Sequence, residues 1–289
     1  MTSGRSCWPA QWIGGAAAEV LARAERGVQD GVVVGEFRHG HYVRFGQTIF
    51  AIGQPAIHPG PLHVLFRGPK PQLEAGTIVS CDRDAIHAPG LVIDLRGATR
   101  WEPKHRTFTA NGPGLSTLAH LCSTTAAPPG LDLDWAEVQH AADRADLDAL
   151  SELLAGRGPG LTPSGDDVLA GILLMRAIVG SEGDCGAAVA EAAPTTDLSR
   201  AFLRWAARGH SIEPVHRLVE DAERGRTASA EQNAAIVKTI GSSSGAALLA
   251  GIGLVAQRPG PCFLSDTTHG LADNMIGEEV RGRDDQTQR

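Results

Sequence analysis

The sequence predicts an α+β protein in which a β-rich N-terminal part, antiparallel or barrel-like, precedes a helical C-terminal part. Between residues 31 and 97, short runs of β-branched and aromatic residues are bounded by Gly or Pro, a pattern typical of strands. After the Pro128-Pro129-Gly130 segment, apolar residues recur at helical spacing instead. These residue patterns predict a β-rich part over residues 1–127, a helical part over 128–257 and a polar tail over 258–289.

The individual elements follow from local patterns. The first is a helix over residues 13–26, which is rich in alanine and ends at Gly27. Strands are expected over residues 31–37, 42–53, 62–68, 76–82 and 90–97. One or two helices are expected over residues 133–156, and further helices over 167–180, 197–209, 215–225, 229–241 and 245–257. The last of these is apolar on all sides, as a buried helix is.

Composition narrows the classes of function. The 26 Lys and Arg residues against 33 Asp and Glu give a net charge of −7, which argues against a nucleic-acid-binding protein. Five scattered cysteines without a C-x-x-C pair suggest a reducing compartment and no thiolate zinc site. Neither a run of about 18 apolar residues nor a signal-peptide pattern is found. We therefore expect a cytoplasmic protein without a membrane segment.

The most informative segment is GRGPGLTPSGDDVLAG, residues 156–171, where glycines, prolines and hydroxyl residues lead into an apolar helix. We expect Ser164 to cap this helix, with Asp167 three positions later completing a capping box. Gly158 and Gly160 suit turns with positive φ. A glycine-lined loop at the positive end of a helix is a place where small anions bind through backbone N–H groups.

The adjacent carboxylates Asp166 and Asp167 are the candidate catalytic residues. Successive helical residues point about 100° apart, so one carboxylate can cap while the other faces a ligand. We expect Asp166 to face the ligand, as a general base, as an acceptor for an amide or ammonium group, or as a ligand to Mg²⁺. The alternative is that both carboxylates only balance the helix dipole.

Two further segments combine glycine with polar groups: Gly241-Ser242-Ser243-Ser244-Gly245 before the last helix, and NGPGLST over residues 111–117. We expect the loops 158–167 and 241–245 to converge at one anion pocket, with 111–117 along its rim. Ordinary capping and loop roles are the alternative. The candidate substrate- or anion-binding residues are Gly158, Gly160, Thr162, Ser164, Gly165, Ser242, Ser243, Ser244, Gly245, Asn111 and Ser116.

Other familiar sites are not supported. His39 and His41 would face one side of a strand as a metal pair, but no third ligand is evident, so we expect no transition-metal site. The Walker A and G-x-G-x-x-G patterns are missing from the sequence.

Three motifs resemble one known family, the AllH-type subunit of oxamate carbamoyltransferase. They are GPGLTPSGDDVLAG over residues 158–171, T-x-x-S-x-x-x-L-x-x-A-x-x-G over 196–209, and IGSSSG followed by LLAG over 240–251. The N-terminal part is similar to the family only in its general pattern of strand-like runs and glycine-rich turns. The S-T-R-T and H-P-x-Q elements of ordinary carbamoyltransferases are missing, so carbamoyl chemistry here would need a different site.

The resemblance implies a cytoplasmic protein of purine degradation, within allantoin catabolism. The implied reaction is oxalurate + phosphate ⇌ oxamate + carbamoyl phosphate, and the small anionic substrate is carbamoyl phosphate or oxamate. The family works with other subunits, including one that resembles succinyl-CoA ligases, and a homo-oligomer is also compatible. Two alternatives stay open: a non-catalytic small-acid-binding subunit, and a small-molecule kinase suggested by the Gly241–Gly245 loop.

Overall fold

The computed structural model describes residues 6–24, 27–104, 108, 112–180 and 185–258. The predicted α+β class is confirmed, with strands in the N-terminal part and nearly all helices after them. Most of the expected polar tail, residues 259–289, lies outside the described residues. Among the residues that are described, no helix has the length and apolar character that a membrane crossing requires.

Eight strands close into a barrel, which confirms the barrel-like prediction. Around the barrel the order is β1-β5-β4-β3-β2-β6-β7-β8, and β8 pairs with β1 again. The pairs β4–β5 and β1–β8 are parallel and the other barrel pairs are antiparallel. The strands are β1 (Ser6–Ile13), β2 (Gln29–Phe37), β3 (Gly40–Phe45), β4 (Thr48–Gly53), β5 (His63–Phe66), β6 (Ile78–Cys81), β7 (Ala85–Ala88) and β8 (Leu91–Asp94), with a short β9 (Thr99–Arg100) beside the end of β1.

The strand that closes the barrel was not predicted. β1 contains Pro9 and has no regular alternation of buried and exposed positions, so its sequence lacks the usual strand pattern. Its backbone groups find partners only because β5 and β8 lie on either side of it. β7, with the short sequence AIHA, was missed as well.

The helices are α1 (Gly15–Ala24), α2 (Pro113–Cys122), α3 (Trp135–Asp143), α4 (Leu147–Leu154), α5 (Ser164–Ile178), α6 (Cys185–Ala192), α7 (Asp197–Ala206), α8 (Glu213–Glu223), α9 (Thr227–Lys238) and α10 (Ser244–Ala256). The helical run over residues 133–156 divides in two at Ala145, whose φ is 54°. Asp134 caps α3 and Asp146 caps α4 with their side chains. α2 and α6 were not predicted, although Pro113 at the start of α2 was a usable signal.

α5 and α10 form the centre of the helical part. A Cβ on Gly171 would lie 2.2 Å from the Leu248 carbonyl oxygen, and one on Gly251 would lie 2.0 Å from the Val168 carbonyl oxygen. The two backbones therefore touch, which only glycine permits. The prediction that α10 is buried is confirmed, since its residues from Leu249 to Ala256 are all buried.

The barrel and the helical part each have a hydrophobic core, and specific contacts join them. The Trp205 ring of α7 covers Gly15 at the start of α1, where a Cβ would lie 2.3 Å from the ring. The Glu213 amide of α8 donates to the Pro59 carbonyl oxygen at 2.8 Å. These contacts fix the barrel against α7 and α8.

Candidate functional site

Two of the predicted segments meet. The Ser164 and Ser243 hydroxyl oxygens are 2.8 Å apart and share a hydrogen bond, which confirms that the loops 158–167 and 241–245 converge. The reason is the close packing of α5 on α10, because it brings the N-termini of both helices together. Convergence at an anion pocket, with residues 111–117 on its rim, stays a prediction.

A segment that was not among the candidates borders this meeting point. Ser164 Oγ also donates to the Pro129 carbonyl oxygen at 3.1 Å. Gly130 has a φ of 81°, and a Cβ there would lie 3.3 Å from Ser164 Oγ and 3.9 Å from Ser243 Oγ. The Pro-Pro-Gly turn was visible in the sequence as a boundary, but nothing local indicated that it lies against Ser164.

The expected capping box is wrong. Pro163 occupies the N-cap of α5 and no side chain caps the helix, so Ser164 and Asp167 both lie inside the first turn. The N–H of Gly165 donates to the Arg157 carbonyl oxygen, and those of Asp166 and Asp167 donate to Pro163. These first-turn amides are occupied within the protein, and none of them is free to hold an anion.

The glycines of the two loops have geometric roles. Gly158 and Gly160 have φ angles of 113° and 92°, as the turn interpretation predicted. A Cβ on Gly165 would lie 2.0 Å from the Leu154 carbonyl oxygen, and one on Gly245 would lie 1.8 Å from that of Val237. The Gly245 amide donates to the Ile240 carbonyl oxygen at 3.0 Å, so it too is occupied.

The Asp166 carboxylate is bound within the protein through both oxygens, so the expectation that it faces a ligand is wrong. Its Oδ1 accepts from the Gly156 amide at 2.8 Å, and its Oδ2 accepts from Thr195 Oγ1 at 2.5 Å. Asp166 is buried, and these bonds tie α5 to the turn after α4 and to the segment before α7. The arrangement is typical of a structural carboxylate.

Asp167 is the carboxylate with unused hydrogen-bonding capacity. Its side chain hydrogen-bonds Ser244, while its Oδ2 atom is buried and has no partner. Burial, more than the neighbouring Asp166 charge, raises the pKa of Asp167 to about 7, although the Ser244 bond lowers it. A carboxyl group with this pKa can accept a proton or an amide N–H when ionised and can donate when protonated.

Tyr42 of β3 is affected by the Asp167 charge, and sequence reasoning missed this residue. Burial and the Asp167 charge raise the pKa of the Tyr42 phenol to about 12. The residue lies about 125 positions away in the chain, as the residue numbers give, and no local pattern links it to α5. The loop before α5 meets the barrel close to Tyr42, since a Cβ on Gly35 of β2 would lie 2.7 Å from Leu161 Cδ1 and 3.7 Å from Tyr42 Cδ2.

The other candidates are distributed around this region. Ser242 is exposed, Thr162 is half-buried and Ser116 is exposed on α2. A Cβ on Gly114 of α2 would lie 2.9 Å from the Glu223 Cα of α8, so the start of α2 packs on the end of α8. Asn111 lies outside the described residues.

His39 and His41 do not share a strand face, so the expected pairing is wrong. His39 lies in the turn between β2 and β3, with its Nδ1 3.4 Å from Gln54 Oε1. His41 is fully buried, and its Nε2 lies 2.8 Å from the Pro71 carbonyl oxygen. In the described part of the chain, no three His, Cys, Asp or Glu side chains are grouped as metal ligands.

A cleft of about 530 Å³ lies elsewhere, near the C-terminal end of α5. Trp12 and Trp101 form part of its wall, together with charged residues of α8 such as Glu213 and Arg217. Arg217 and Glu213 pair with each other at 2.6 Å. The motif residues Ser164, Asp167 and Ser243 do not line it, so this cleft is separate from the place where the two loops converge.

Comparison with known proteins bears on the helical part. Residues 154–256 match the family model described as oxamate carbamoyltransferase subunit AllH. This range contains the 158–167 and 241–245 loops, Asp166 and Asp167. No curated protein and no solved structure matches the chain. The resemblance predicted from the sequence is thereby confirmed: over residues 154–256 this chain is similar to the AllH subunit of oxamate carbamoyltransferase.

Proposed function

We propose that this chain is a subunit of a multi-subunit oxamate carbamoyltransferase and carries the group that binds the amide of oxamate. The family match over residues 154–256 supports a subunit of this kind. The single observation that carries the proposal is the Asp167 carboxyl, which lies at the convergence of two helix N-termini with one buried oxygen lacking a partner. The reaction is oxalurate + phosphate ⇌ oxamate + carbamoyl phosphate, in the cytoplasm, during purine degradation. A partner resembling succinyl-CoA ligases completes the enzyme.

In the direction of oxalurate formation, the amide nitrogen of oxamate attacks the carbamoyl carbon of carbamoyl phosphate. The new N–C bond forms, the C–O bond to phosphate breaks with its electron pair going to phosphate, and the nitrogen loses one proton. Asp167 takes that proton, because a pKa of about 7 suits a general base near neutral pH. Hydroxyl groups of the Ser242-Ser243-Ser244 run are suited to donate to the carbamoyl oxygen as its charge develops.

The test is oxamate-dependent release of phosphate from carbamoyl phosphate by the assembled subunits. The Asp167→Asn variant is expected to fold normally and to lose turnover by a factor on the order of 10²–10⁴, because it cannot take the proton. Asp148→Asn is the matched control: Asp148 is an exposed carboxylate in the first turn of α4 and has only a dipole role there. Turnover of Asp167→Asn at the level of Asp148→Asn would reject the catalytic assignment.

A non-catalytic, small-acid-binding subunit is the second candidate. It is favoured by the occupied amides of Gly165, Asp166 and Gly245, since these groups do not stabilise a developing anion. In that case Asp167→Asn should raise the KM for oxamate and leave kcat unchanged, because only binding is lost. A fall in kcat at saturating oxamate would decide for the catalytic role.

A further inference from the structure

The glycine-rich loop of the helical part contacts the barrel at Leu161, although residues 156–161 are exposed. Gly35 of β2 stands opposite Tyr42 of β3, and a Cβ at position 35 would lie 2.7 Å from Leu161 Cδ1 and 3.7 Å from Tyr42 Cδ2. Leu161 and Tyr42 therefore share the space that the missing side chain of Gly35 leaves. The barrel wall at Gly35 and Tyr42 is thus part of the surroundings of the 158–167 loop.

The start of α7 also holds this loop through hydrogen bonds to Leu161. The Leu161 carbonyl oxygen accepts from Thr196 Oγ1 at 2.7 Å and from Ser199 Oγ at 3.4 Å. Ser199 is buried. Because Thr196 also caps α7, the loop is held between the barrel and a helix whose start is itself well defined.

Tyr42 lies near Leu161 of this loop, and Asp167 lies in the first turn of the helix that follows the loop. The two side chains have opposite hydrogen-bonding capacities. The Tyr42 ring packs on Phe37 with 4.7 Å between ring centroids, which restricts where the ring can lie. Its phenol stays protonated over the physiological pH range, because burial and the Asp167 charge raise its pKa to about 12. Asp167 Oδ2 is buried without a partner, and a buried polar atom in that state is costly unless something bonds to it.

We propose that Tyr42 of the barrel contacts the ligand at the site of Asp167, so that a small amide acid binds between the barrel and the helical part. This inference rests on the proposed function and names a residue outside the family-matched range. The phenol O–H donates to a carboxylate or carbonyl oxygen of the ligand, and Asp167 Oδ2 accepts from its amide N–H. A compact molecule with both groups, such as oxamate, satisfies the two side chains together.

The sequence supplies an unusually direct probe, because Tyr42 is the single tyrosine of the chain. Protein labelled with ¹³C-tyrosine therefore gives signals from one side chain. Asp167→Asn is expected to shift the Tyr42 ring resonances in the ligand-free protein, since it removes the neighbouring charge. Oxamate is expected to shift them in the wild type with a midpoint equal to the Kd measured by calorimetry. Oxamate binding that leaves the Tyr42 resonances unmoved would overturn the inference.

Tyr42→Phe tests the hydroxyl itself, because it keeps the ring and removes only the donor. We expect its affinity for oxamate to fall on the order of tenfold, as for one lost hydrogen bond to a charged group. Phe37→Leu is the matched control, since it disturbs the packing of the same ring but retains the phenol. An equal loss in both variants would assign the effect to packing and would overturn the ligand contact.

The assembled enzyme separates this inference from the proposed function. There we expect Tyr42→Phe to raise the KM for oxamate about tenfold while the KM for carbamoyl phosphate stays the same. Wild-type assemblies that release phosphate normally, with an unchanged oxamate KM in Tyr42→Phe, would overturn the role of Tyr42 and leave the proposed function intact. Wild-type assemblies without any oxamate-dependent turnover would overturn the proposed function, and the resonances of Tyr42 with oxamate would still decide the contact.

Discussion

At the residue scale, the protonation of Asp167 is coupled to folding. Its pKa is about 7 in the folded protein against a usual 3.8, so between pH of about 4 and 7 the unfolded chain releases a proton that the folded protein keeps. The free energy of unfolding therefore falls as the pH rises through this window, by up to about 1.4 kcal/mol per pH unit from this group. The contribution of Asp167 to the free energy of unfolding is complete below its usual pKa of 3.8, and it is lost as the pH rises to about 7.

We predict that Asp167→Asn removes this dependence, because an amide has no charge to desolvate. Urea unfolding between pH 4.5 and 7.5 should show the variant gaining stability over the wild type as the pH rises. The difference between the two proteins is the useful quantity, because burial lowers the pKa of His63 to about 4 and gives an opposite trend in both. Asp148→Asn should follow the wild type at every pH, and the same behaviour in Asp167→Asn would contradict the prediction.

The two carboxylates also show how residue-level reasoning fails. The sequence predicted that Asp167 completes a cap and that Asp166 faces a ligand, whereas the helix has no side-chain cap and both Asp166 oxygens are bound within the protein. A capping box assumes that Ser164 is the N-cap, whereas Pro163 takes that position and shifts every side chain by one place along the turn. Which carboxylate is bound internally then depends on Thr195 and Gly156, which no spacing rule connects to Asp166.

At the scale of elements, the contact between α5 and α10 brings the 158–167 and 241–245 loops together. Gly251→Ala places a Cβ 2.0 Å from the Val168 carbonyl oxygen, so the helices must separate. We predict a loss of about 1–3 kcal/mol or more of unfolding free energy, as for overpacked cores. Thermal and urea unfolding measure it.

Gly186→Ala is the control for the same substitution type within a helix. There the nearest atoms are Leu173 Cδ2 at 3.6 Å and Ala207 Cβ at 3.8 Å, which is ordinary contact. Alanine should be neutral or stabilising by under about 1 kcal/mol, since it loses less backbone entropy on folding than glycine. A Gly251→Ala protein as stable as Gly186→Ala would show that the two helices do not meet through their backbones.

At the scale of the whole molecule, Trp205 connects the barrel with the helical core. Its ring covers Gly15 of α1 and packs with the core of the barrel although it belongs to α7. We predict that Trp205→Ala lowers the free energy of unfolding by about 3 kcal/mol, as large-to-small changes in a core do. In calorimetry, the single unfolding transition should divide into two. Asp197→Asn is the control, because its pair with Arg44 spans the same boundary at 3.7 Å but is exposed and contributes about 1 kcal/mol or less. A single unchanged transition in Trp205→Ala would contradict this.

Local sequence patterns were enough to predict the α+β class, the positions of most helices, the buried character of α10 and the convergence of the two glycine-rich loops. These features depend on local periodicity and on glycine and proline placement, which neighbouring residues alone express. Long-range packing alone reveals that β1 closes the barrel, that Pro129 and Gly130 lie against Ser164, and that Gly35 of the barrel lies against Leu161. Each of these is a contact between residues distant in the chain. Such contacts depend on how distant elements pack against each other. The residue pattern of one segment depends on its own secondary structure and burial, so it does not predict which distant residue the segment contacts.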